Sequence, residues 1–385
     1  MTLNDKSWRL NKFRSKVFLI VALLIQVYFT VNGQINNEAG KNKPLRLGII
    51  GLVHDHVHGV FQNFKNPDVE IVGIAEPDTA LVTRYIKQYR IDKKIIYGST
   101  EELIAKARPE AVSVFTTISD HLKVVQICAP HGISVMVEKP LAINYKQAEE
   151  MKDLAEKWGI EIITNYETTW YPVTKEAYIK TNQDKIIGEI RKIVVHDGHK
   201  GPIEIGCSRD FTNWLTDPEL NGGGAITDFG CYGTNLITYL MDGEKPLSVT
   251  AVTQQIKPDL YPKVDDEATI IITYPRVQGI IQASWNWPFN RKDMEIYGKT
   301  GYIITTDNVH MKIKTSEQSP EQSLTIGLDK AIAANPFSFF ASVVRGNIKL
   351  AQNDPSSLSL NLIAMEILDC AVQSSKEGKT IYLKQ

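Results

Sequence analysis

Two short stretches bring together the side-chain types that proton and hydride chemistry needs. Val137-Glu138-Lys139-Pro140 closes an apolar run, which puts a lysine just past the end of an element and fixes it with a following proline. An ammonium there can donate to a developing alkoxide or carbonyl oxygen, and burial can lower its pKa. The second stretch runs Gly222-Gly223-Gly224-Ala225-Ile226-Thr227-Asp228-Phe229-Gly230-Cys231-Tyr232-Gly233-Thr234-Asn235. Asp228, Tyr232 and Asn235 are spaced by four and then three residues, which predicts one helix face carrying an acid, a phenol and an amide. The glycines ahead of them permit close approach of backbone to a ligand. A solvated polar stripe is the plainer reading of the same spacing.

A third constellation suits a dinucleotide. Gly48-Ile49-Ile50-Gly51-Leu52-Val53-His54 ends an apolar run in a tight glycine turn, where backbone N–H groups and a helix N-terminus could meet a pyrophosphate. Val53 stands where a second turn glycine is usual, so the loop alone also fits an ordinary strand-to-helix turn. The next apolar run ends in Glu76-Pro77-Asp78. A carboxylate at Glu76, with Asp78 placed to share the role, accepts ribose hydroxyls and repels a 2′-phosphate, which favours NAD over NADP. His54, His56 and His58 alternate, so neighbours should point to different sides of a helix start. With no cysteine or carboxylate cluster beside them, no metal is expected and His54 is the histidine nearest the cofactor.

These residues need elements to hold them. A chain of 385 residues suits two domains. Leu45–Ile50, Glu70–Ala75, Ala111–Thr116, Ser134–Val137 and Glu161–Thr164 are apolar runs of strand length, with helical patterns between them at Thr79–Tyr89, His121–His131 and Tyr145–Trp158. Ser99 with Glu102 forms a capping box, and Gly132 and Gly159 sit where helices should stop. Such alternation predicts an α/β unit, a doubly wound parallel sheet covered on both faces, over residues 45–166. Past that point the rhythm changes. Helical patterns span Val173–Thr181 and Ile226–Met241, and strand-like stretches follow at Leu247–Gln255, Glu267–Tyr274, Gly279–Trp287 and Gly301–Thr305. Helices at Pro336–Arg345 and Leu358–Ser375 and a strand at Thr380–Leu383 close the chain. Residues 167–385 are therefore expected to form an α+β domain around a mostly antiparallel sheet.

The first 33 residues differ in kind. Lys6, Arg9, Lys12, Arg14 and Lys16 lead an apolar run from Val17 to Val31, followed by Asn32, Gly33 and Gln34. That order predicts a secretory signal peptide over 1–33, then a polar linker over 34–44. The run is short for a membrane span. The expected protein is exported, to periplasm or medium, with no membrane span after processing; left uncleaved, the leader would anchor it. Losing five bases and one acid moves the formal net charge from −1 to about −5, and neither value suits a nucleic-acid partner. Cys128, Cys207, Cys231 and Cys370 are scattered and read as buried thiols.

The chain resembles the Gfo/Idh/MocA oxidoreductases over nearly all of its expected exported part. The matches run in order through Gly48-x-x-Gly51, Glu76, Thr116 and His121, Glu138-Lys139-Pro140, Asn165 to Pro172, Gly222 to Asn235 and the Gly-Lys-Thr380 segment. The resemblance implies a Rossmann domain joined to an open-faced sheet domain, with the C-terminal helix returning to the first. It implies cofactor contacts from Gly48, Gly51, Val53, His54, Glu76, Thr116, His121, Glu138 and Lys139, and substrate contacts from Asn165 and Asn235. Many members carry aspartate and histidine where this chain has Asp228 and Tyr232. Tyrosine there is similar to the glucose–fructose oxidoreductase-like branch, which implies Tyr232 as the acid/base, Lys139 easing its ionisation and Asp228 orienting. Sheets in the family often pair through open faces, which implies a homo-oligomer. The chain departs from the pattern at Val53, at Thr117 and Ile118 in place of Pro-Asn, and at Thr168 and Thr169, where arginines are frequent.

The function expected on these grounds is NAD(P)-dependent hydride transfer at a sugar or polyol carbinol. Free dinucleotide is scarce outside the cytoplasm, so the cofactor is expected to be tightly held. Two other readings stay open: a redox-neutral, NAD-dependent glycosidase, and a sugar- or dinucleotide-binding protein without chemistry. Trp170, Trp214, Trp285 and Trp287 are candidate sugar-facing aromatics and equally candidate packing residues.

Overall fold

The computed structural model describes residues 43–62, 66–327 and 335–384. The expected signal peptide and nearly all of the expected linker lie outside the described residues.

Six parallel strands form the first sheet: β1 (Leu45–Ile50), β2 (Val69–Ala75), β3 (Ile96–Tyr97), β4 (Ala111–Val114), β5 (Ser134–Glu138) and β6 (Ile162–Asn165), in the order β3-β2-β1-β4-β5-β6. β4 and β5 are buried along their whole length, as expected for strands covered on both faces. The expected helices Thr79–Tyr89 and Tyr145–Trp158 form over those residues, while the expected His121–His131 becomes an α-helix to Cys128 and a 3₁₀ turn to His131. Asp78 caps the first of these helices, accepting from the N–H groups of Ala80 and Leu81. Ser99 accepts from Glu102 N–H, and the Glu102 carboxylate accepts from Gly98 N–H, so the capping box is made with a one-residue offset.

The second sheet has nine strands, in the order β14-β13-β12-β11-β7-β10-β9-β8-β15. They are β7 (Ile190–Gly198), β8 (Ser248–Gln254), β9 (Glu267–Thr273), β10 (Gln278–Ser284), β11 (Arg291–Gly298), β12 (Tyr302–Thr305), β13 (His310–Lys314), β14 (Gln322–Thr325) and β15 (Ile381–Tyr382). Every pairing is antiparallel except that of β7 with β10. β9 buries alternate residues, Ala268, Ile270 and Ile272, and leaves the others towards solvent. This is the period-2 pattern of a sheet covered on one face. The helices Gly230–Leu240 and Leu358–Glu377 pack on the covered face.

The expected helix Ile226–Met241 is interrupted. A four-residue turn of helix, Ala225–Asp228, ends at Phe229, and a new helix runs from Gly230 to Leu240. Among the described residues, no helix is long and apolar enough to cross a membrane.

Candidate functional site

Lys139 follows the carboxyl end of β5 through a cis Lys139–Pro140 peptide. Its ammonium donates to the Asp228 backbone carbonyl at 3.0 Å and to Asp228 Oδ1 at 2.5 Å. Trp285, wholly buried on the second sheet's side, donates from Nε1 to Asp228 Oδ2 at 2.9 Å. The carboxylate thus bridges a lysine from one sheet and an indole from the other. Lys139 and Asp228 are both almost fully buried. Burial pushes the Lys139 pKa down, but the adjacent Asp228 charge outweighs it and the ammonium is held above its ordinary value. Burial likewise favours the acid form of Asp228, and Lys139 and His199 outweigh it, leaving a carboxylate held below its usual range. The fall in Lys139 pKa that burial alone would give does not occur, because the charge is paired.

Tyr232 lies beside this pair, with its ring centroid 4.9 Å from Lys139 Nζ and 5.4 Å from the Tyr166 ring. Burial, then Glu167, Cys231, Asp228 and Glu138, push the phenol well above its ordinary pKa. The group stands as a protonated donor. The break at Phe229 swings Asp228 and Tyr232 together around Lys139. It leaves Asn235 elsewhere. The Asn235 amide donates to the Pro355 carbonyl at 2.8 Å and to Asn361 Oδ1 at 3.0 Å, with no exposure. It ties the helix to the start of Leu358–Glu377. Asp228, Tyr232 and Asn235 therefore do not share one helix face towards a substrate.

The glycines ahead of Asp228 serve packing. Gly224 N–H donates to Asp265 Oδ1 at 2.8 Å, and a side chain at Gly224 would run into the Asp265 carbonyl oxygen. Gly224 closely approaches the segment before β9, Gly222 the Ile143 carbonyl, and Gly223 the Thr227 and Ile226 side chains. Asn165, opposite Glu138 in the β5–β6 register, donates to Glu138 Oε1 at 2.8 Å and accepts from Trp170 Nε1 at 2.8 Å. It braces Glu138 and keeps one N–H donor and one lone pair for another partner. Trp214 donates to the Val53 carbonyl at 3.2 Å and is buried.

At the carboxyl ends of β1, β2 and β4 a cavity of about 430 Å³ is lined by Gly51, Val53, Glu76, Pro77, Ser99, Thr116, and neighbours. Gly51 has φ +81°, and a Cβ there would stand 2.7 Å from Thr116 Cγ2 and 2.9 Å from the Phe115 carbonyl. Only glycine keeps this floor open. The Glu76 carboxylate accepts from Leu52 N–H and Asp78 N–H, both at 2.9 Å, which clamps it at the cavity rim. Gly48 is not part of this lining. It sits within β1, where a Cβ would press on Leu103 and Val112. A glycine-floored cavity with a clamped carboxylate fits an adenosine ribose at this end of the cofactor.

His54 and His56 do not diverge as expected, because both precede the helix Val57–Gln62 in an irregular loop, while His58 turns away to Tyr85 and Tyr89. The His54 and His56 rings meet edge to face at 4.5 Å, and His56 Nδ1 lies 2.8 Å from Glu138 Oε2. His54, His56 and Glu138 offer ligand atoms within 4.8 Å of one another, a carboxylate-containing cluster the sequence did not announce. The direct His56–Glu138 bond and the Asn165 amide already account for both Glu138 oxygens. His54 is buried against Phe211 and Trp214, and burial followed by His56 and Lys139 holds it neutral. His121 is also buried. Its Nδ1 meets the Leu141 carbonyl at 3.1 Å, its Nε2 has no hydrogen-bond partner among the described residues, and burial pushes its pKa down to about 4.

A second cavity, of about 590 Å³, was not read from the sequence. Glu167, Tyr171, His199, Arg291, Lys292 and Asp307 are among the residues lining it. Lys292 donates to Glu167, and its Nζ lies 4.8 Å from the Tyr232 ring centroid, so this cavity begins beside Tyr232.

Comparison with known proteins follows the same division. Residues 45–166 match a family model described as an oxidoreductase family with an NAD-binding Rossmann fold, and residues 180–304 match the GFO/IDH/MocA C-terminal domain. Trans-1,2-dihydrobenzene-1,2-diol dehydrogenase of Xenopus tropicalis is 31% identical over 184 residues, 48% of this chain and 52% of that protein. The same-named protein of Sus scrofa is 26% identical over 243 residues, 62% of this chain and 68% of that protein. The chain spans about half the length of the first of these curated relatives. Among solved structures, an aldose-aldose oxidoreductase from Caulobacter crescentus in complex with glycerol superposes with TM-score 0.74 at 21% identity, covering 88% of this chain and all of that one. An inositol dehydrogenase homolog from Azotobacter vinelandii in complex with NAD+ superposes with TM-score 0.77 at 17% identity, covering 89% and 98%. At these identities the structures establish the shared fold.

Proposed function

The chain belongs to the GFO/IDH/MocA oxidoreductase family, and from that premise we propose that it moves hydride between a nicotinamide cofactor and a carbinol of a sugar or polyol. The observation that carries this reading is the buried Lys139–Asp228 pair beside Tyr232, beyond the carboxyl end of β5. In an open parallel sheet that is where ligands sit.

NAD, when bound, supplies the hydride acceptor or donor. Gly51, Val53, Glu76 and Thr116 are the residues that would hold it at the adenosine end, with His54, His121, Glu138 and Lys139 nearer the chemistry. Glu76 disfavours a 2′-phosphate, which supports NAD over NADP. Tyr232 then carries the substrate hydroxyl proton. Its phenol donates the proton when a carbonyl is reduced, and the phenolate takes the hydroxyl proton when an alcohol is oxidised. Lys139 has three donors and spends them on two Asp228 oxygens, which leaves one for the substrate oxygen. Asp228 keeps that ammonium charged in a dry site, and Trp285 fixes the carboxylate's angle. The polar cavity beyond Lys292 is lined by donors and acceptors, among them Arg291, Glu167 and Asp307, which suits the remaining hydroxyls of a carbohydrate.

Export belongs to the same proposal. The basic lead and the short apolar run of residues 1–33 support it, and a tightly held cofactor would let a closed redox cycle run without a dinucleotide pool. Acid release of small molecules from the purified protein, followed by mass spectrometry, tests the core of the reading. NAD(H) near one per chain is expected. A protein that releases none, and binds neither NAD nor NADP when they are added, would end it.

A further inference from the structure

β11 pairs antiparallel with β7, and Lys292 stands directly opposite Asp197 in that register. Directly paired residues share a face of the sheet. Two and four positions on along β11 come Met294 and Ile296, both buried, so this is the face covered by helices. On packing grounds alone position 292 should be apolar. Instead a lysine reaches across to Glu167, just past β6, with its Nζ 4.8 Å from the Tyr232 ring centroid. Lys139 comes from the first sheet and stands 4.9 Å from the same centroid. Tyr232 therefore has two ammonium groups at nearly equal distance, one from each sheet, each held by its own carboxylate.

We propose that Lys292 is a positioning residue that sets the ionisation of Tyr232, with Glu167 as its counterweight. The inference rests on Tyr232 as the proton carrier and names what controls it. A cation within about 4–6 Å favours the phenolate, and a carboxylate at similar range favours the phenol. Two of the three Lys139 donors are taken by Asp228, so its field at the ring is partly cancelled. Lys292 is balanced more loosely, because the Glu167 side chain is 48% exposed and also accepts from the Tyr171 hydroxyl. Asp197 is a weak counterweight to Lys292: it has no exposure, neither oxygen has a hydrogen-bond partner among the described residues, and burial pushes its pKa well above the usual carboxylate range.

The groups facing Tyr232 are otherwise Lys139 and Glu138 at the end of β5, Tyr166 and Glu167 after β6, Asp228 and Cys231 on its own helical segments, and Asp197 beneath on β7. Among the described residues of this set, Lys292 is the ammonium that comes from the second sheet. A substrate entering the adjoining cavity meets the Lys292–Glu167 pair, and a hydroxyl that draws Glu167 away from Lys292 would strengthen the field on the phenol. Substrate binding and proton transfer are thereby coupled through one ion pair.

The test places a polyfluorinated tyrosine at position 232 of the full chain, with NAD present, and follows its ionisation by fluorine NMR as pH is varied. Lys292→Met should raise the phenol's midpoint by about one pH unit, and Glu167→Gln should lower it by a similar amount. Lys292→Arg should restore the parent midpoint. Midpoints that stay put in both Lys292→Met and Glu167→Gln, or that move the same way, would overturn the role of Lys292. A structural disturbance has no reason to give opposite signs. Failure of the underlying reading looks different: Tyr232→Phe would then retain full turnover while the fluorine midpoints still shift.

Discussion

Lys139 Nζ and Asp228 Oδ1 stand 2.5 Å apart, 89 residues apart in sequence, with both side chains almost excluded from water. The contact joins the two sheets at the point where chemistry is proposed. A buried pair of this kind is weak evidence of net stabilisation, but removing one partner strands a charge. Asp228→Asn should therefore cost about 3–5 kcal/mol in unfolding free energy, readable by urea denaturation. It should also lower the Lys139 pKa, because the burial that now opposes the charge would act alone. The pair's pH window follows from the two directions. Asp228 is held low, so its contribution is present above the unfolded carboxylate pKa and is lost as pH falls through the folded one. Lys139 is held high, so its contribution is present below the unfolded lysine pKa and is lost as pH rises through the folded one. A stability plateau across neutral pH that Asp228→Asn leaves untouched would contradict the pairing.

Tyr232→Phe removes one oxygen and keeps the ring that packs on Tyr166 and Phe229. Turnover should fall about 10²–10⁴-fold, the usual worth of a positioned general acid or base. Cofactor binding, followed by quenching of protein fluorescence on adding NAD, should stay within a factor of about three. Loss of binding together with turnover would mean that Tyr232 supports the site's shape, not proton transfer.

How much of this was legible in the sequence depends on the environment of each strand. β4 and β5 are buried along their whole length, and β1 and β6 nearly so, with Arg46 the exposed exception in β1; all four read as largely apolar runs, so the parallel sheet and the place of Lys139 could be seen without coordinates. β7 and β11 were missed. In RKDMEIYG charge fills most of the face away from the helices, and in RKDMEIYG and IRKIVVHDG alike a charged residue, Lys292 or Asp197, stands at the site end of the other face. The signal was there as period 2, Lys292-Met294-Ile296 against Arg291-Asp293-Glu295, but charge masks alternation in a hydropathy reading. With those strands went Lys292 and Asp197. The helix break at Phe229 was hidden for another reason. Gly230 and Gly233 let the helix settle on β9 and β10, where a Cβ at Gly230 would meet Ile270 and one at Gly233 would crowd Ile281, and spacing counts assume an unbroken helix.

Gly51→Ala tests the cofactor floor. At φ +81° an L side chain is strained, by about 1–3 kcal/mol, and its Cβ would press on Thr116 and the Phe115 carbonyl. The expected result is at least a tenfold loss of NAD affinity by calorimetry, with a smaller fall in melting temperature. Unchanged affinity would place the dinucleotide elsewhere than this cavity.

Glu76→Gln separates the two cofactors. The amide keeps one acceptor oxygen for Leu52 N–H or Asp78 N–H, and it removes the charge that repels a 2′-phosphate. Affinity for NADP relative to NAD should rise by about tenfold, the worth of one close charge of about 1.4 kcal/mol. A ratio that does not move would show that Glu76 does not face the ribose.

The buried histidines make the protein sensitive to mild acid. His121 has no exposure, donates from Nδ1 to the Leu141 carbonyl, and is pushed by burial to a pKa of about 4. In the unfolded chain an imidazole titrates near 6.5. A folded pKa below the unfolded one means that the folded state binds fewer protons, so the contribution is present above pH ~6.5 and is lost as pH falls towards about 4. The difference corresponds to roughly 3 kcal/mol across that window. His54 is depressed in the same direction, again by burial first, and adds to the slope. Melting temperature measured without cofactor should therefore drop steeply between about pH 6.5 and pH 4. His121→Asn keeps a polar group near Leu141 and cannot titrate there, so its slope should be visibly shallower but not flat, because His54 remains. A wild-type profile that is level across this range would mean that His121 is hydrated or paired, and that the dry pocket around Glu138 and Lys139 on which the proposed chemistry depends is open to water.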